Sequence, residues 1–114
     1  MKVIEDEGYK ITYDPAEKIV NFTGTLRLGG LSEYAPIIEC LEESFEECDK
    51  LTLVLTDLDF LNSSGIAMFS KFVISARNNE NCSLSIIGSS EIPWQGKSLK
   101  NLQRLMPSLN LVME

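Results

Sequence analysis

The decapeptide FLNSSGIAMF, residues 60–69, places two serines and a glycine between two apolar runs. A serine at such a junction can attack a carbonyl, cradle a phosphate, accept a phosphate from a kinase, or cap a helix. Each use demands different neighbours. A nucleophile elbow is written G-x-S-x-G and joins a strand to a helix. Around Ser63 the flanking positions are Leu61 and Gly65, so half of the pattern is missing. The chain contains no histidine, which removes every Ser-His-Asp or Cys-His device, the usual zinc sites and imidazole proton transfer. Lys71 lies two helical turns from Ser63, too far for a local Ser–Lys pair. A hydrolase acting through Ser63 is therefore the weakest reading, and the expectation is a protein that is not an enzyme, with no metal and no cofactor.

WQGKS, residues 94–98, ends like a P-loop. That loop is written G-x-x-x-x-G-K-[ST], because successive N–H groups must wrap the phosphates. Here the first glycine's place is taken by Glu91, an anion, and Pro93 removes a donor. Gly96-Lys97-Ser98 is expected instead to lead into a helix capped near Ser98. Trp94 reads as a packed residue rather than a ligand platform.

At the serine junction, Asn62, Ser63 or Ser64 can cap the following helix, an interaction worth roughly 1 kcal/mol. Three polar residues in a row exceed that need. Helix N-termini at the carboxyl ends of parallel strands are where α/β sheets present chemistry, and a serine there is reachable by a kinase. Its phosphate would meet the N–H groups of Gly65 and Ile66 and the helix dipole. It would add about -1.5 to -2 charge, partly opposed by Asp57 and Asp59. The helix after the junction carries Ala67, Met68, Phe72 and Ile74 around most of its circumference. Either neighbours cover it, or Met68 and Phe72 form an apolar patch for a partner.

These residues must be positioned by the elements on either side. Tyr9, Ile11 and Tyr13 alternate, DPAE (14–17) is turn chemistry, and Val20 and Phe22 resume the period of two, which predicts an antiparallel hairpin. GGLSEYAPIIECLEESFEEC reads as a helix capped by Ser32, with Pro36 in its first turn. Ile37, Ile38, Leu41, Phe45 and Cys48 form its inner stripe, and Glu39, Glu42, Glu43, Glu46 and Glu47 its solvated face. LTLVLTDLDFL (51–61) reads as a central strand buried on both faces. Ile66, Phe69, Val73 and Ala76 have helical spacing, CSLSIIG is a strand, KSLKNLQRLM is a helix with Leu99, Leu102 and Met106 inward, and LNLVM is the last strand. The order β-β-α-β-α-β-α-β predicts an α/β fold with a mixed sheet, an N-terminal hairpin and helical crossovers, in one domain spanning 1–114.

The chain has 114 residues, 44% hydrophobic and 24% charged, with a formal net charge of -7. All of the excess lies in the first half: residues 1–50 hold twelve acids against five bases, and 51–114 five against five. Such a balance repels phosphate backbones, so no nucleic-acid partner is expected. No apolar run approaches the length of a membrane helix and the N-terminus lacks a signal-peptide core, so no membrane partner and a cytoplasmic location are expected. Cys40, Cys48 and Cys82 form no CxxC and read as core thiols. Lys97, Lys100 and Arg104 share one side of the last helix, either as a solvated face or as a seat for an acidic partner surface.

The element order, and LDFLNSSGIAMFSKFV within it, resemble the STAS domain of bacterial anti-sigma factor antagonists over essentially the whole chain. The specific part is the D-S-[ST]-G-[LIV] junction; a group of STAS-like bacterial regulators with an NSSGI junction is similar to it. The resemblance implies a regulatory phosphoprotein in which Ser63, less favourably Ser64, is phosphorylated by an anti-sigma factor-like serine kinase of the histidine-kinase-like ATPase fold. A PP2C-type phosphatase would reverse the modification. Asn62, Ser63, Ser64, Gly65, Met68 and Phe72 would form the partner-binding surface. Asn62 stands where the family has aspartate, which loses a charge. The alternative is a constitutive STAS-like interaction module that is never phosphorylated.

Overall fold

The computed structural model describes residues 2–47, 49–79 and 82–114; Cys48, assigned above to an inner stripe, lies outside them. The elements run β1 (Lys2–Asp6), β2 (Tyr9–Asp14), β3 (Ile19–Leu26), α1 (Leu31–Glu47), β4 (Lys50–Leu61), α2 (Ser63–Arg77), β5 (Ser83–Gly88), α3 (Gln95–Leu105) and β6 (Asn110–Met113). They form one mixed α/β sheet whose strand order follows chain order, β1-β2-β3-β4-β5-β6. β1, β2 and β3 are antiparallel, and β3 through β6 are parallel with a helix in each crossover. The expected hairpin is β2–β3. The Asp14 carboxylate accepts from the N–H of Ala16 and Glu17 at 3.0 and 3.4 Å and so holds its turn. β1 adds a strand that the sequence pattern did not announce, because only Val3 and Ile4 are apolar among charged neighbours.

The sheet has a covered and an uncovered face. Ile11, Tyr13, Val20, Phe22, Leu53, Leu84 and Ile86 are buried under the helices. The facing row Val3–Thr12–Asn21–Val54–Ile87–Val112 is exposed or half-buried. β4 is therefore buried on one face, not two; its opposite residues are Thr52, Val54 and Thr56, all half-buried. α1 packs against α2 and α2 against α3. As the middle helix, α2 is covered on both flanks as well as underneath. Phe72 meets Phe45 of α1 edge-on at 5.9 Å, and Phe69 meets Phe22 of β3 at 5.3 Å.

Helix starts differ from the sequence expectation in two places. Gly30, at φ 138°, precedes α1, and its carbonyl accepts from Glu33 and Tyr34. Glu33 reaches back to the Gly29 N–H, so Ser32 lies inside the helix and Pro36 in its second turn. α3 begins at Gln95, so Gly96, Lys97 and Ser98 form its first turn rather than a loop.

β4 outruns its neighbour. Its pairing with β5 ends at Val54, whereas its pairing with β3 continues to Leu61. Two register shifts against β3, between Asn21 and Thr23 and between Gly24 and Thr25, each insert an extra residue into β4. These bulges turn Leu55, Leu58 and Leu61 all toward the core. The edge left open by β5 is closed by side chains. Buried Gln95 donates from Nε2 to the carbonyls of Leu55 at 2.6 Å and Leu58 at 3.1 Å, and its Oε1 accepts from Ser89 N at 2.7 Å. Trp94 Nε1 donates to Leu58 O at 3.0 Å, which makes it a packed residue as expected.

Gln95→Leu keeps the volume and strands the Leu55 carbonyl and the Ser89 N–H. At about 1–3 kcal/mol for each orphaned buried group, the variant is expected to lose about 2–4 kcal/mol in urea denaturation. An unchanged midpoint would mean that the end of β4 does not depend on this residue.

Candidate functional site

β4 delivers its last residue, Leu61, into the core, and the chain turns at Asn62 into α2. Asn62 has extended backbone angles, φ -80° and ψ 177°, as an N-cap requires. Its Oδ1 accepts from Gly65 N at 2.9 Å and from the Tyr34 hydroxyl at 2.7 Å. Its Nδ2 donates to Leu28 O at 2.8 Å, and its backbone N–H donates to Leu26 O at 3.2 Å. One carboxamide thus joins the loop after β3, helix α1 and the first turn of α2. The assignment of its oxygen and nitrogen is dictated by the partners, since a carbonyl needs a donor and an N–H an acceptor. Burial pushes the Tyr34 phenol up from its ordinary pKa, with a backbone hydrogen bond from the Leu28 region acting against it. Tyr34 is therefore a firm hydrogen-bond donor at neutral pH.

Gly65 is needed for space, not for a left-handed backbone. A Cβ there would overlap the Leu61 side chain and sit 2.8 Å from the Tyr34 hydroxyl oxygen. The glycine lets the first turn of α2 lie directly on the end of β4 and on Tyr34.

Ser63 and Ser64 are left without such duties. Ser63 is exposed and Ser64 half-buried, and neither hydroxyl is hydrogen-bonded to another described residue. The cap is Asn62, among the three residues that the sequence offered. The phosphate contacts expected from Gly65 and Ile66 are already taken: Gly65 N–H goes to Asn62 Oδ1, and Ile66 N–H to Asn62 O at 3.0 Å. Ser63 and Ser64 supply the other first-turn N–H groups.

Met68 and Phe72 are not at the surface. Both are buried, 0% and 1% exposed, because α2 lies between two helices. The exposed stripe of α2 is Ser63, Ala67, Lys71 and Ile74 instead. Near the junction the large exposed apolar side chains are Phe60 and Leu31, and the Arg27 guanidinium stacks 4.7 Å over the Phe60 ring. Sequence reasoning missed Tyr34, Leu28 and Arg27. Tyr34 was within reach of it: it falls one turn before Ile37 and Ile38 on the inner stripe, where a phenol must find a polar partner.

Among the described residues no group of acids and cysteines could hold a metal, and no helix is long and apolar enough to cross a membrane. Cys40 is buried, with its thiol pKa raised chiefly by desolvation; Cys82 is half-buried.

Gly65→Ala would ordinarily stabilise a helix by up to about 1 kcal/mol. Here it is expected to destabilise by about 1–3 kcal/mol through overpacking, and a raised melting temperature would contradict the close approach. Asn62→Asp keeps the two acceptor roles but sets a carboxylate oxygen against Leu28 O. Its expected cost is about 1–3 kcal/mol, read by thermal unfolding; equal stability would show that the Leu28 bond is dispensable.

No protein-family profile matches the chain, and no curated protein is similar to it in sequence. Solved structures are similar in fold. SiaC of Pseudomonas aeruginosa superimposes with a TM-score of 0.73 at 14% identity, over 100% of this chain and 98% of that one. A chain from the complex of the diguanylate cyclase SiaD with its activator SiaC, from the same organism, gives 0.73 at 12% identity, over 100% of both chains. An anti-sigma factor antagonist from Mycobacterium paratuberculosis gives 0.60 at 14% identity, over 96% of this chain and 82% of that one. The chain has the STAS-like fold that these proteins share.

Proposed function

We propose that this protein is a cytoplasmic regulatory switch that works by binding a partner protein at the β4–α2 junction, with Ser63 as the phosphoacceptor. The observation that carries this reading is the division of labour at the junction. Asn62 alone discharges the helix cap, through Oδ1 to Gly65 N, while the exposed Ser63 hydroxyl bonds to no described residue. A serine that the fold does not use, held at the first turn of a helix packed on both flanks, is a well-placed substrate for a kinase. The neighbouring N–H groups and the positive end of the helix dipole favour its phosphorylated form.

The fold shared with an anti-sigma factor antagonist supports an anti-sigma factor-like serine kinase as the partner and a PP2C-type phosphatase as the reversing enzyme. The shared fold with SiaC, described as the activator of a diguanylate cyclase, supports regulation by protein contact rather than by catalysis. Asn62 in place of the family's aspartate has a structural reason here, its donor bond to Leu28 O. It is therefore no sign by itself that phosphorylation has been lost.

The test is the mass of the tryptic peptide Leu51–Lys71 from the native cells, in growth and under stress, with fragmentation to place any phosphate. A phosphate on Ser63 is expected, with Ser63→Asp losing the partner and Ser63→Ala retaining it. The unmodified peptide under every condition would make the protein a constitutive interaction module, and equal binding by the two variants would remove the switch.

A further inference from the structure

The edges of the sheet are β1 and β6, since strand order follows chain order. An open edge presents unpaired backbone groups that invite another strand, and proteins commonly guard such edges with charge. β1 is guarded: its sequence, KVIED, sets exposed Lys2, Glu5 and Asp6 along the edge. β6 is not. Asn110-Leu111-Val112-Met113 carries neither a charge nor a proline.

The backbone of β6 has a definite phase. Glu114 N donates to Gly88 O at 2.9 Å and Glu114 O accepts from Ser90 N at 2.9 Å, so the backbone of Glu114 faces β5. In an extended strand the N–H and C=O of one residue point to one side, and those of the next residue to the other. Asn110 and Val112 therefore face β5 as well, while Leu111 and Met113 turn their backbone groups outward. Those groups meet no partner among the described residues. The side chain of Val112 stands on the uncovered face of the sheet, 42% exposed. There it ends an apolar row with Val54 and Ile87, its neighbours across β4, β5 and β6. The row runs out to the open edge.

We infer that β6 pairs antiparallel with β6 of a second copy of this chain, about a two-fold axis at Val112. With the axis there, the outward groups of Leu111 meet those of the partner's Met113, and the two residues exchange both hydrogen bonds. Val112 faces the partner's Val112 in the closer, non-hydrogen-bonded kind of pair. The row Val54–Ile87–Val112 then continues through the axis into its own copy. Asn110 falls opposite the partner's Glu114, so no like charges oppose each other. Long-range charge favours the same edge. The acid excess lies in residues 1–50, which supply β1, β2, β3 and α1. β1, β2 and β3 form the far side of the sheet from β6, and α1 packs on the flank of α2 opposite α3. Two chains of net charge -7 therefore repel least when their β6 edges meet. One short strand pair makes a small interface, so the dimer is weak and exchanges with monomer. The inference does not depend on Ser63, because antiparallel pairing points the two β4–α2 junctions in opposite directions and leaves both uncovered.

The test is sedimentation velocity on the intact chain under reducing conditions, from micromolar to near-millimolar concentration. A monomer–dimer equilibrium is expected. Val112→Lys and Val112→Glu each set like charges at the axis, and each is expected to weaken dimerisation at least tenfold. An equimolar mixture of these two variants is expected to restore it, as a heterodimer seen by native mass spectrometry. Val112→Cys, closer to the native residue in size, is expected to form a linked dimer on mild oxidation. Opposed Cα atoms in such a pair lie about 4.5 Å apart, within disulfide reach. Val3→Cys, on the guarded edge, and the unaltered chain are expected to remain unlinked. Monomer at every concentration overturns the inference, as does a dimer undiminished in both charged variants. Absence of a link in Val112→Cys, or equal linking in Val3→Cys, overturns the two-fold register at Val112.

Discussion

Much of the junction depends on one mismatch, the projection of β4 beyond the end of β5. A parallel strand in mid-sheet normally satisfies its carbonyls and N–H groups on both sides. From Leu55 onward β4 has only β3. Buried backbone groups left in that state would each cost more than a typical hydrogen bond returns. Gln95 and Trp94 answer the need with side-chain donors to Leu55 O and Leu58 O. The strand can then run on past its neighbour, and the turn at Asn62 is carried out to the rim of the sheet.

Two carboxamides therefore bracket the same stretch of chain. Gln95 fixes it from the β5 side, and Asn62 fixes its end to the loop after β3, to Tyr34 of α1 and to the start of α2. In each case one side chain both accepts and donates, which a carboxylate, being acceptor only when ionised, could not do. Two glycines make room for these contacts. Gly65 lies against Leu61 and the Tyr34 hydroxyl, and a Cβ at Gly88 would come within 2.8 Å of Gln95 Oε1. The serines stand outside this framework, and so a charge can be added at Ser63 without breaking a bond that holds the junction together.

The parts of this architecture that repeat were legible in the sequence. Period-two alternation and the DPAE turn located β2 and β3, helical spacing located the inner stripes of all three helices, and the NSSG tract located the junction. What was not legible depends on neighbours distant in the chain. β1 has too few apolar residues to show a period and exists by pairing with β2. The bulges of β4 respond to its mismatch with β3, and a leucine-rich run reads the same whether one face or both are buried. Met68 and Phe72 show the same limit. An apolar arc that wide fits either a covered helix or a sticky one, and only the presence of α1 and α3 on its flanks decides for burial. Gln95 sat in a tract resembling a loop, where nothing local marks a glutamine whose carbonyl partners, Leu55 and Leu58, lie far back in the chain on β4.

The strand order repeats the chain order, so every strand pairs with the one made just before it. Assembly can then advance from the N-terminus during synthesis, each parallel pairing waiting only for the helix of its own crossover. The β4–α2 turn is an exception to this progress. Its outer edge waits for Trp94 and Gln95, which leave the ribosome long after Ser63 does. Until they arrive the nascent chain exposes an open strand edge next to its serines, the kind of edge that chaperones shield and that other chains can pair with.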